Sequence, residues 1–420
     1  MGPLTVPDDA RRSARRLVFL CSLVYFCSYL TRLNYSAVLV EMISGGGFSR
    51  TGASAAVTGL FITYAVGQLI SGYLGDRIPA ELLIFFGLAS AGVLNIALPF
   101  CPSALWLTVV WSLNGFAQAM LWPPLVKILS SLLPDEDYSR AVVLVSWGSA
   151  LGSSVVYLMT PAFLAAGSWK LVFFVPAGAA LAAAFFWLRR YPVLAGRLGG
   201  ARDLPTRIRT AAEPPAPAGI PLRYAGLLAL IMLSILCHGL LRDGISTWMP
   251  TYVAETFHLE NSVSVLTAVI LPLLNLGIYH ITLWLHRRFF PNELACAGAV
   301  FGFGVLCLAM LLLFGGGSVW FSAAALALGS VSMHGVNLML ISLVPAAFRR
   351  FRRTGLVSGM LNACTYVGSA VSAYGLAEFS ASRGWTAVLM LWVAVALAGA
   401  VLCVSGTGAW RRFRREEKDG

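Results

Sequence analysis

Two arginines lie inside long apolar stretches, where a charged side chain is costly. Arg32 follows an apolar run that starts at Leu17, and Arg242 follows a similar run that starts at Tyr224. A charge at the centre of a membrane helix costs at least ~2.5–3.5 kcal/mol on insertion scales, so such residues usually face a bundle interior and carry function. A guanidinium can donate hydrogen bonds to two oxygens of a phosphate or carboxylate at once. The pair therefore predicts a site for an anion.

Other polar side chains share helical faces with these arginines. Tyr25 and Tyr29 precede Arg32 by seven and three residues, which places all three on one stripe of a helix. Tyrosines beside an arginine either hydrogen-bond a phosphate or simply pack, and we expect these two to line the anion site. His238 lies one turn before Arg242, so it either contacts the anion or packs against a backbone carbonyl.

Two polar pairs on other apolar stretches are further candidates. Asn114 and Gln118 are spaced by one helical turn, and they either bind the solute or bridge helices. Asn362 and Tyr366 also share a helical face, and we expect them to complete the solute site. Lys127 lies near the end of its stretch, where a lysine can extend to the membrane surface, which favours a structural role.

Asp243 is the acid that could give the arginines a purely structural role. Adjacent helix positions point about 100° apart, so we expect Asp243 not to face Arg242. It could instead pair with Arg32, which would make the arginines part of a structural ion pair. His334 and Asn337 are weaker candidates for the solute site.

The composition places these residues in a membrane protein. The chain is 58% hydrophobic and 11% charged, whereas soluble domains carry about 25% charged residues. The net charge of +12 does not indicate nucleic-acid binding, because the basic residues cluster in alternate loops. The eight cysteines are scattered through apolar runs without metal-ligand spacing, and no hydrolytic, redox or nucleotide-binding motif is present. We therefore expect neither an enzyme nor an ATP-driven pump, and no cofactor or metal.

The length of 420 residues fits twelve spans of ~20 residues. Hydrophobic windows predict spans near 16–40, 55–75, 80–100, 104–131, 139–166, 169–188, 223–250, 260–285, 293–314, 318–345, 354–380 and 384–405. Only Arg50, Lys170 and Arg383 lie in the odd-numbered loops, and nearly all other basic residues lie on the opposite side. This asymmetry predicts that both termini are cytoplasmic.

The chain also shows an internal repeat. The segment 146–154 resembles 362–370, and Trp169 corresponds to Trp385 at the same separation. The predicted fold is an all-α membrane protein with twelve transmembrane helices in two pseudo-symmetric six-helix bundles. The bundles are assigned to residues 1–188 and 223–420, joined by a cytoplasmic linker at 189–222 that contains several prolines and arginines.

Several motifs carry a family resemblance. The turn Gly72–Arg77 reads G-x-L-x-D-R and resembles the loop signature of the major facilitator superfamily. Asp76 and Arg77 are therefore candidate gating residues, with Asp76 holding a neighbouring helix in one conformation only. The segments Tyr29–Ser36, Asn114–Pro124 and Arg242–Tyr252 resemble the organophosphate:phosphate antiporter family, which includes glycerol-3-phosphate and hexose-6-phosphate exchangers.

This resemblance implies a function for the arginines. In that family, arginines at the positions of Arg32 and Arg242 bind the phosphate of the solute, which is exchanged for inorganic phosphate. The chain departs from the family at three places. Gln68 stands where a lysine is common, the segment 147–151 lacks a histidine, and the segment 269–273 lacks an acid.

The sequence thus predicts a secondary transporter of a small anionic, phosphorylated solute that works by alternating access. Exchange for inorganic phosphate and proton coupling both stay open. The alternatives are a transporter-like receptor that senses an external phosphorylated solute, and a major facilitator carrier of other cargo. We expect a monomer in the bacterial cytoplasmic membrane whose partners are the solute and the lipid bilayer, with no nucleic acid.

Overall fold

The protein is described by a computed structural model that covers residues 8–39, 42, 50–166, 168–198, 219–257, 274 and 277–419. Regular structure in these residues is entirely helical. Ten helices among them are long and apolar enough to cross a membrane. The predicted all-α membrane fold is therefore confirmed. The count of twelve spans stays a prediction, because most of the predicted span 260–285 lies outside the described residues.

The chain divides into two compact units. The first unit contains Met1–Gly219 and Phe351–Gly359, and the second contains Ile220–Arg350 and Met360–Gly420. The domain boundaries expected from the sequence stay a prediction. Residues 189–197 of the expected linker continue a helix, and residues 199–218 lie outside the described part of the chain.

The first unit is built from long apolar helices joined by short turns. Its helices are α1 (Asp8–Ala37), α2 (Arg50–Gly75), α3 (Ala80–Ala97), α4 (Ala104–Ala119), α5 (Trp122–Leu132), α6 (Asp135–Ala165) and α7 (Leu171–Arg197). Helix α1 packs against α6 and α7, and α2 packs against α4. The predicted span 104–131 is divided between α4 and α5 because Pro123 and Pro124 lack the N–H groups that a continuous helix needs.

The second unit repeats this pattern with one very long final helix. Its helices are α8 (Ala225–Phe257), α9 (277–288), α10 (Glu293–Phe314), α11 (Val319–Asn337) and α12 (Thr354–Asp419), and residues 354–359 of α12 belong to the first unit. A π-helical turn at Leu338–Leu343 and a 3₁₀ segment at Val344–Phe351 follow α11. Gly384 interrupts α12 with a φ of 74°, which separates the predicted spans 354–380 and 384–405.

Glycines at equivalent positions bring helices into close contact within each unit. A Cβ atom added at Gly152 of α6 would lie 2.8 Å from the Phe26 carbonyl oxygen of α1. A Cβ atom at Gly368 of α12 would overlap the Leu236 carbonyl oxygen of α8. These contacts fix the helices that carry Arg32 and Arg242, and they occur at two positions that the internal repeat relates.

Candidate functional site

Arg32 lies on α1 between two tyrosine rings of the first unit. Its guanidinium carbon is 4.9 Å from the ring centroid of Tyr29 and 4.6 Å from that of Tyr64. Tyr64 is buried on α2. A cation over an aromatic face is attracted by the negative face of the ring. The two rings therefore hold the charge of Arg32 in a defined direction. Sequence reasoning identified Tyr29 but missed Tyr64, which lies on a different predicted span.

The predicted tyrosine stripe of α1 is a continuous set of contacts. The rings of Tyr25 and Tyr29 meet edge to face with centroids 5.2 Å apart. Tyr25 also packs against Trp122 of α5 at 5.0 Å. An aromatic surface therefore leads from α5 to Arg32. Whether Tyr25 and Tyr29 contact a solute stays a prediction.

Asn114 and Gln118 both hold α4 against α1. The Asn114 amide donates to the Thr31 carbonyl oxygen at 3.0 Å, and the Gln118 amide donates to the Thr31 hydroxyl at 2.8 Å. Both side chains are buried. These contacts match the helix-bridging alternative. Thr31, the residue before Arg32, is therefore hydrogen-bonded to a second helix.

A further amide pair, which sequence reasoning missed, supports the same part of α1. The Asn34 amide donates to the Asn95 side-chain oxygen at 2.7 Å, and the Asn95 amide donates to the Thr31 carbonyl oxygen at 3.0 Å. Both residues are buried. Asn95, the asparagine of the apolar span 80–100, could have indicated this contact from the sequence, because a buried amide must find hydrogen-bond partners. The backbone around Arg32 is thus fixed from α3 and α4.

In the second unit, Arg242 forms an ion pair with its neighbour Asp243. The Arg242 Nε lies 2.7 Å from Asp243 Oδ1, and Nη2 lies 2.8 Å from Oδ2. The expectation that the two residues would not face each other is therefore wrong. The Cα positions do point apart, but the long arginine side chain folds back across the helix surface to reach the carboxylate. The Ser369 hydroxyl also donates to Asp243.

Residues of three helices, α8, α11 and α12, surround Arg242. Tyr366 of α12 lies with its ring centroid 5.9 Å from the guanidinium carbon. The Ser246 hydroxyl donates to the Arg242 carbonyl oxygen at 2.8 Å, and the Ser330 hydroxyl of α11 lies 2.8 Å from the Ser246 hydroxyl. The side chains of Arg242 and Asp243 are 15% and 33% exposed. The ion pair is thus largely buried.

The other predicted residues of the second unit lie on the same three helices. His238 is fully buried one turn before Arg242, and Asn362 is buried one turn before Tyr366. His334 of α11 packs edge to face against Tyr279, with centroids 6.2 Å apart. Tyr366 lies against Arg242, and its contact with a solute stays a prediction. The roles of the others stay predictions.

Asp76 accepts hydrogen bonds from the first turn of α12, within the first unit. Its Oδ1 accepts from the Gly355 N–H at 3.0 Å, and its Oδ2 accepts from the Leu356 N–H at 2.9 Å. The first N–H groups of a helix have no partner inside the helix and form its positive end. Burial raises the pKa of Asp76, whereas these N–H groups and the charges of Lys127 and Arg353 oppose that rise. The carboxylate therefore links the end of α2 to the start of α12.

Lys127 and Arg77 both contact the end of α2. The Lys127 ammonium group donates to the Gly75 carbonyl oxygen at 2.9 Å, which caps the C-terminal end of α2. The guanidinium carbon of Arg77 lies 3.9 Å from the ring centroid of Tyr73. The observed contact gives Lys127 a structural role. The gating role of Arg77 stays a prediction.

Comparison with known proteins places this architecture in a family. The sequence pattern of the Major Facilitator Superfamily matches residues 21–373. The chain belongs to this superfamily. A bacterial homologue of the iron transporter ferroportin has a similar fold, with a TM-score of 0.70 at 14% identity, and the match covers 94% of this chain and 100% of that one.

Two relatives extend the resemblance seen in the motifs. The membrane sensor protein UhpC of Salmonella typhimurium (strain LT2) is 25% identical over 387 residues, which cover 89% of this chain and 86% of the relative. A probable hexose phosphate transport protein of Chlamydia trachomatis (serovar D) is 20% identical over 412 residues, which cover 92% of this chain and 89% of the relative. The predicted resemblance to sugar-phosphate carriers is confirmed.

Proposed function

We propose that the protein is a secondary transporter of a small phosphorylated anion and that it works by alternating access. The observation that carries this proposal is a membrane-depth arginine held against tyrosine rings in each unit, Arg32 in the first and Arg242 in the second. The relative named as a hexose phosphate transport protein supports a phosphate ester as the solute. In this proposal both arginines bind the phosphate.

The setting of Arg32 suits phosphate binding. An arginine side chain loses rotamer freedom when it binds an anion, and this loss reduces affinity. Contacts with Tyr29 and Tyr64 already restrict the guanidinium, so less freedom is lost on binding. The amide contacts on Thr31 hold the backbone beneath it. The first unit thus presents a positioned positive charge.

Beside Arg242, the carboxylate of Asp243 competes with a solute anion for the guanidinium. Asp243 occupies the Nε and Nη2 donors of Arg242, one of the donor pairs through which a guanidinium binds a phosphate or carboxylate. In the proposed mechanism the anion replaces Asp243 on Arg242, and the displaced carboxylate keeps its hydrogen bond from Ser369. The ion pair then satisfies Arg242 in the absence of solute, which avoids an uncompensated charge inside the membrane. Arg242 therefore stays paired when one anion is exchanged for another.

Counterflow in proteoliposomes tests the transport function. Vesicles loaded with inorganic phosphate should accumulate labelled phosphate, glucose 6-phosphate or glycerol 3-phosphate from outside, and empty vesicles should not. Arg32→Ala and Arg242→Ala vesicles serve as inactive controls, and Arg140→Ala, which removes an exposed arginine from α6, serves as an active one. Accumulation that does not depend on any internal anion would contradict exchange and favour proton coupling.

A second candidate is a receptor for an external phosphorylated solute. The relative named as a membrane sensor protein covers 89% of this chain, which favours this alternative specifically. A receptor would bind the solute with the same arginines but would not move it. A thermal shift with phosphate esters in the absence of any counterflow would therefore identify a sensor. Binding at a hundred times the dissociation constant should add about 2.7 kcal/mol of stability in either case.

A further inference from the structure

A cavity of about 500 Å³ opens between the first turns of α1 and the last turns of α7, within the first unit. Arg32, the proposed anion contact on α1, is seventeen residues beyond Arg15, or about 25 Å along the helix. The cavity is therefore separate from the solute site. Its lining consists of Arg15, Arg16, Phe19, Leu20, Phe186, Arg190, Val193, Leu194 and Arg197.

The charge of this cavity is entirely positive. Four of its nine lining residues are arginines and none is acidic. All four arginines are exposed, and among the described residues none of them forms an ion pair. Two belong to α1 and two to α7, so the charges face the same space from both helices. Arginine binds phosphate through paired donors, and a set of four favours a phosphate group.

The other lining residues are apolar, and three of them are open to the surroundings. Phe19 is 67% exposed, Phe186 41% and Val193 49%, whereas Leu20 and Leu194 form a buried floor. The guanidinium carbon of Arg190 lies 5.6 Å from the ring centroid of Phe186. A free phosphate ion would leave these rings without a partner. A ligand with both a phosphate and hydrocarbon would contact the whole lining.

The cavity lies at the ends of two stretches that are long and apolar enough to cross a membrane. The membrane-crossing stretch of α1 begins at Arg11, and that of α7 ends at Arg197. Both ends carry the arginine clusters that predict the cytoplasmic side. Basic pockets between transmembrane helices on this side of a membrane suit the headgroups of anionic lipids.

We propose that this cavity binds one anionic phospholipid. Its phosphate contacts Arg15, Arg16, Arg190 and Arg197, and its acyl chains lie along Phe19 and Phe186. The bound lipid joins the ends of α1 and α7, the first and last helices of the first unit. The proposal does not depend on the solute that the protein carries.

Native mass spectrometry of the purified full chain with phosphatidylglycerol or phosphatidylcholine of the same acyl chains tests this proposal. Wild-type protein should retain phosphatidylglycerol in preference to phosphatidylcholine. The double variant Arg16→Ala/Arg190→Ala should bind phosphatidylglycerol roughly 30-fold more weakly, since each basic residue contributes about a factor of five. The matched control is Arg12→Ala/Arg189→Ala, which removes the same charge from exposed neighbours outside the lining. Its affinity should stay within about threefold of wild type, because salt screens exposed charges that do not line the cavity.

Three results would overturn the proposal. Equal loss in both double variants would show a general effect of surface charge. Equal retention of phosphatidylcholine would show that the arginines do not select the lipid. Displacement of phosphatidylglycerol by excess inorganic phosphate would show a site for a free anion, because the acyl chains should hold the lipid in place. Thermal unfolding of each variant, expected to match wild type for these exposed positions, shows that the comparison is between folded proteins.

Discussion

Arg242 is held by two charged hydrogen bonds to Asp243 and is largely buried. In the proposed mechanism a solute anion replaces this carboxylate. A purely structural ion pair would instead keep Asp243 in place whatever the solute. These two possibilities make opposite predictions for the removal of the acid.

Asp243→Asn should strengthen phosphate binding. Loss of the competing carboxylate leaves Arg242 available to the anion, and a charge-assisted hydrogen bond contributes about 1.5–3 kcal/mol. We expect affinity for inorganic phosphate to rise roughly tenfold, measured by isothermal titration. Ser369→Ala, which removes a neutral hydrogen bond from the same carboxylate, should change the affinity less. Unchanged or weaker binding with a lower melting temperature would indicate a structural ion pair.

Arg32→Lys should restore little of the function. Lysine keeps the positive charge but lacks the planar fork of donors and stacks less well between the rings of Tyr29 and Tyr64. We expect roughly tenfold weaker phosphate binding, about 1.4 kcal/mol. Tyr64→Phe keeps the ring face and should bind almost normally, which makes it the control. Wild-type affinity in Arg32→Lys would show that charge alone is sufficient.

The contact between the end of α2 and the start of α12 connects two helices, and it does not include the arginines of the proposed solute site. Asp76 bonds two N–H groups at the positive end of α12. Gly72 permits the close approach, because a Cβ atom there would lie 2.6 Å from the Gly355 carbonyl oxygen. We expect this contact to bias the position of a helix without touching a bound anion.

Asp76→Asn should slow transport more than it weakens binding. The neutral amide loses the interaction with the helix end, which is typically worth 0.3–1 kcal/mol and up to about 2 when partly buried. We expect the initial rate of phosphate counterflow to fall several-fold, while the dissociation constant from titration stays within about twofold. Asp137→Asn, at an exposed acid in the first turn of α6, should affect neither quantity. Lost binding with an unchanged counterflow rate per bound solute would contradict a gating role.

The charge asymmetry of the chain predicts its arrangement in the membrane. Cysteines introduced within 189–222 and after Trp410 should react with a membrane-impermeant reagent only from the cytoplasmic side. A cysteine placed beside Lys170 should react only from outside. Outside labelling of either predicted cytoplasmic segment would overturn the twelve-span arrangement and the proposed side of the lipid cavity.

The sequence predicted the helical membrane fold and the family because hydropathy and short motifs are local properties. It also predicted that Tyr25, Tyr29 and Arg32 share a stripe, since helical spacing determines faces. It did not predict the partners of Asp76, which lie 279 and 280 residues later in the chain. The expectation that Arg242 and Asp243 would not face each other was wrong, because the directions of adjacent Cα positions do not limit where a long arginine side chain reaches.

The central claim is that Arg32 and Arg242 bind a solute phosphate, and isothermal titration of the alanine variants tests it most directly. Loss of either largely desolvated charge should cost ~2–5 kcal/mol, so binding of inorganic phosphate and glucose 6-phosphate should weaken roughly 30-fold or more. Arg140→Ala, at an exposed position, should bind like wild type. Well-folded Arg32→Ala and Arg242→Ala proteins that bind phosphate with wild-type affinity would contradict the account.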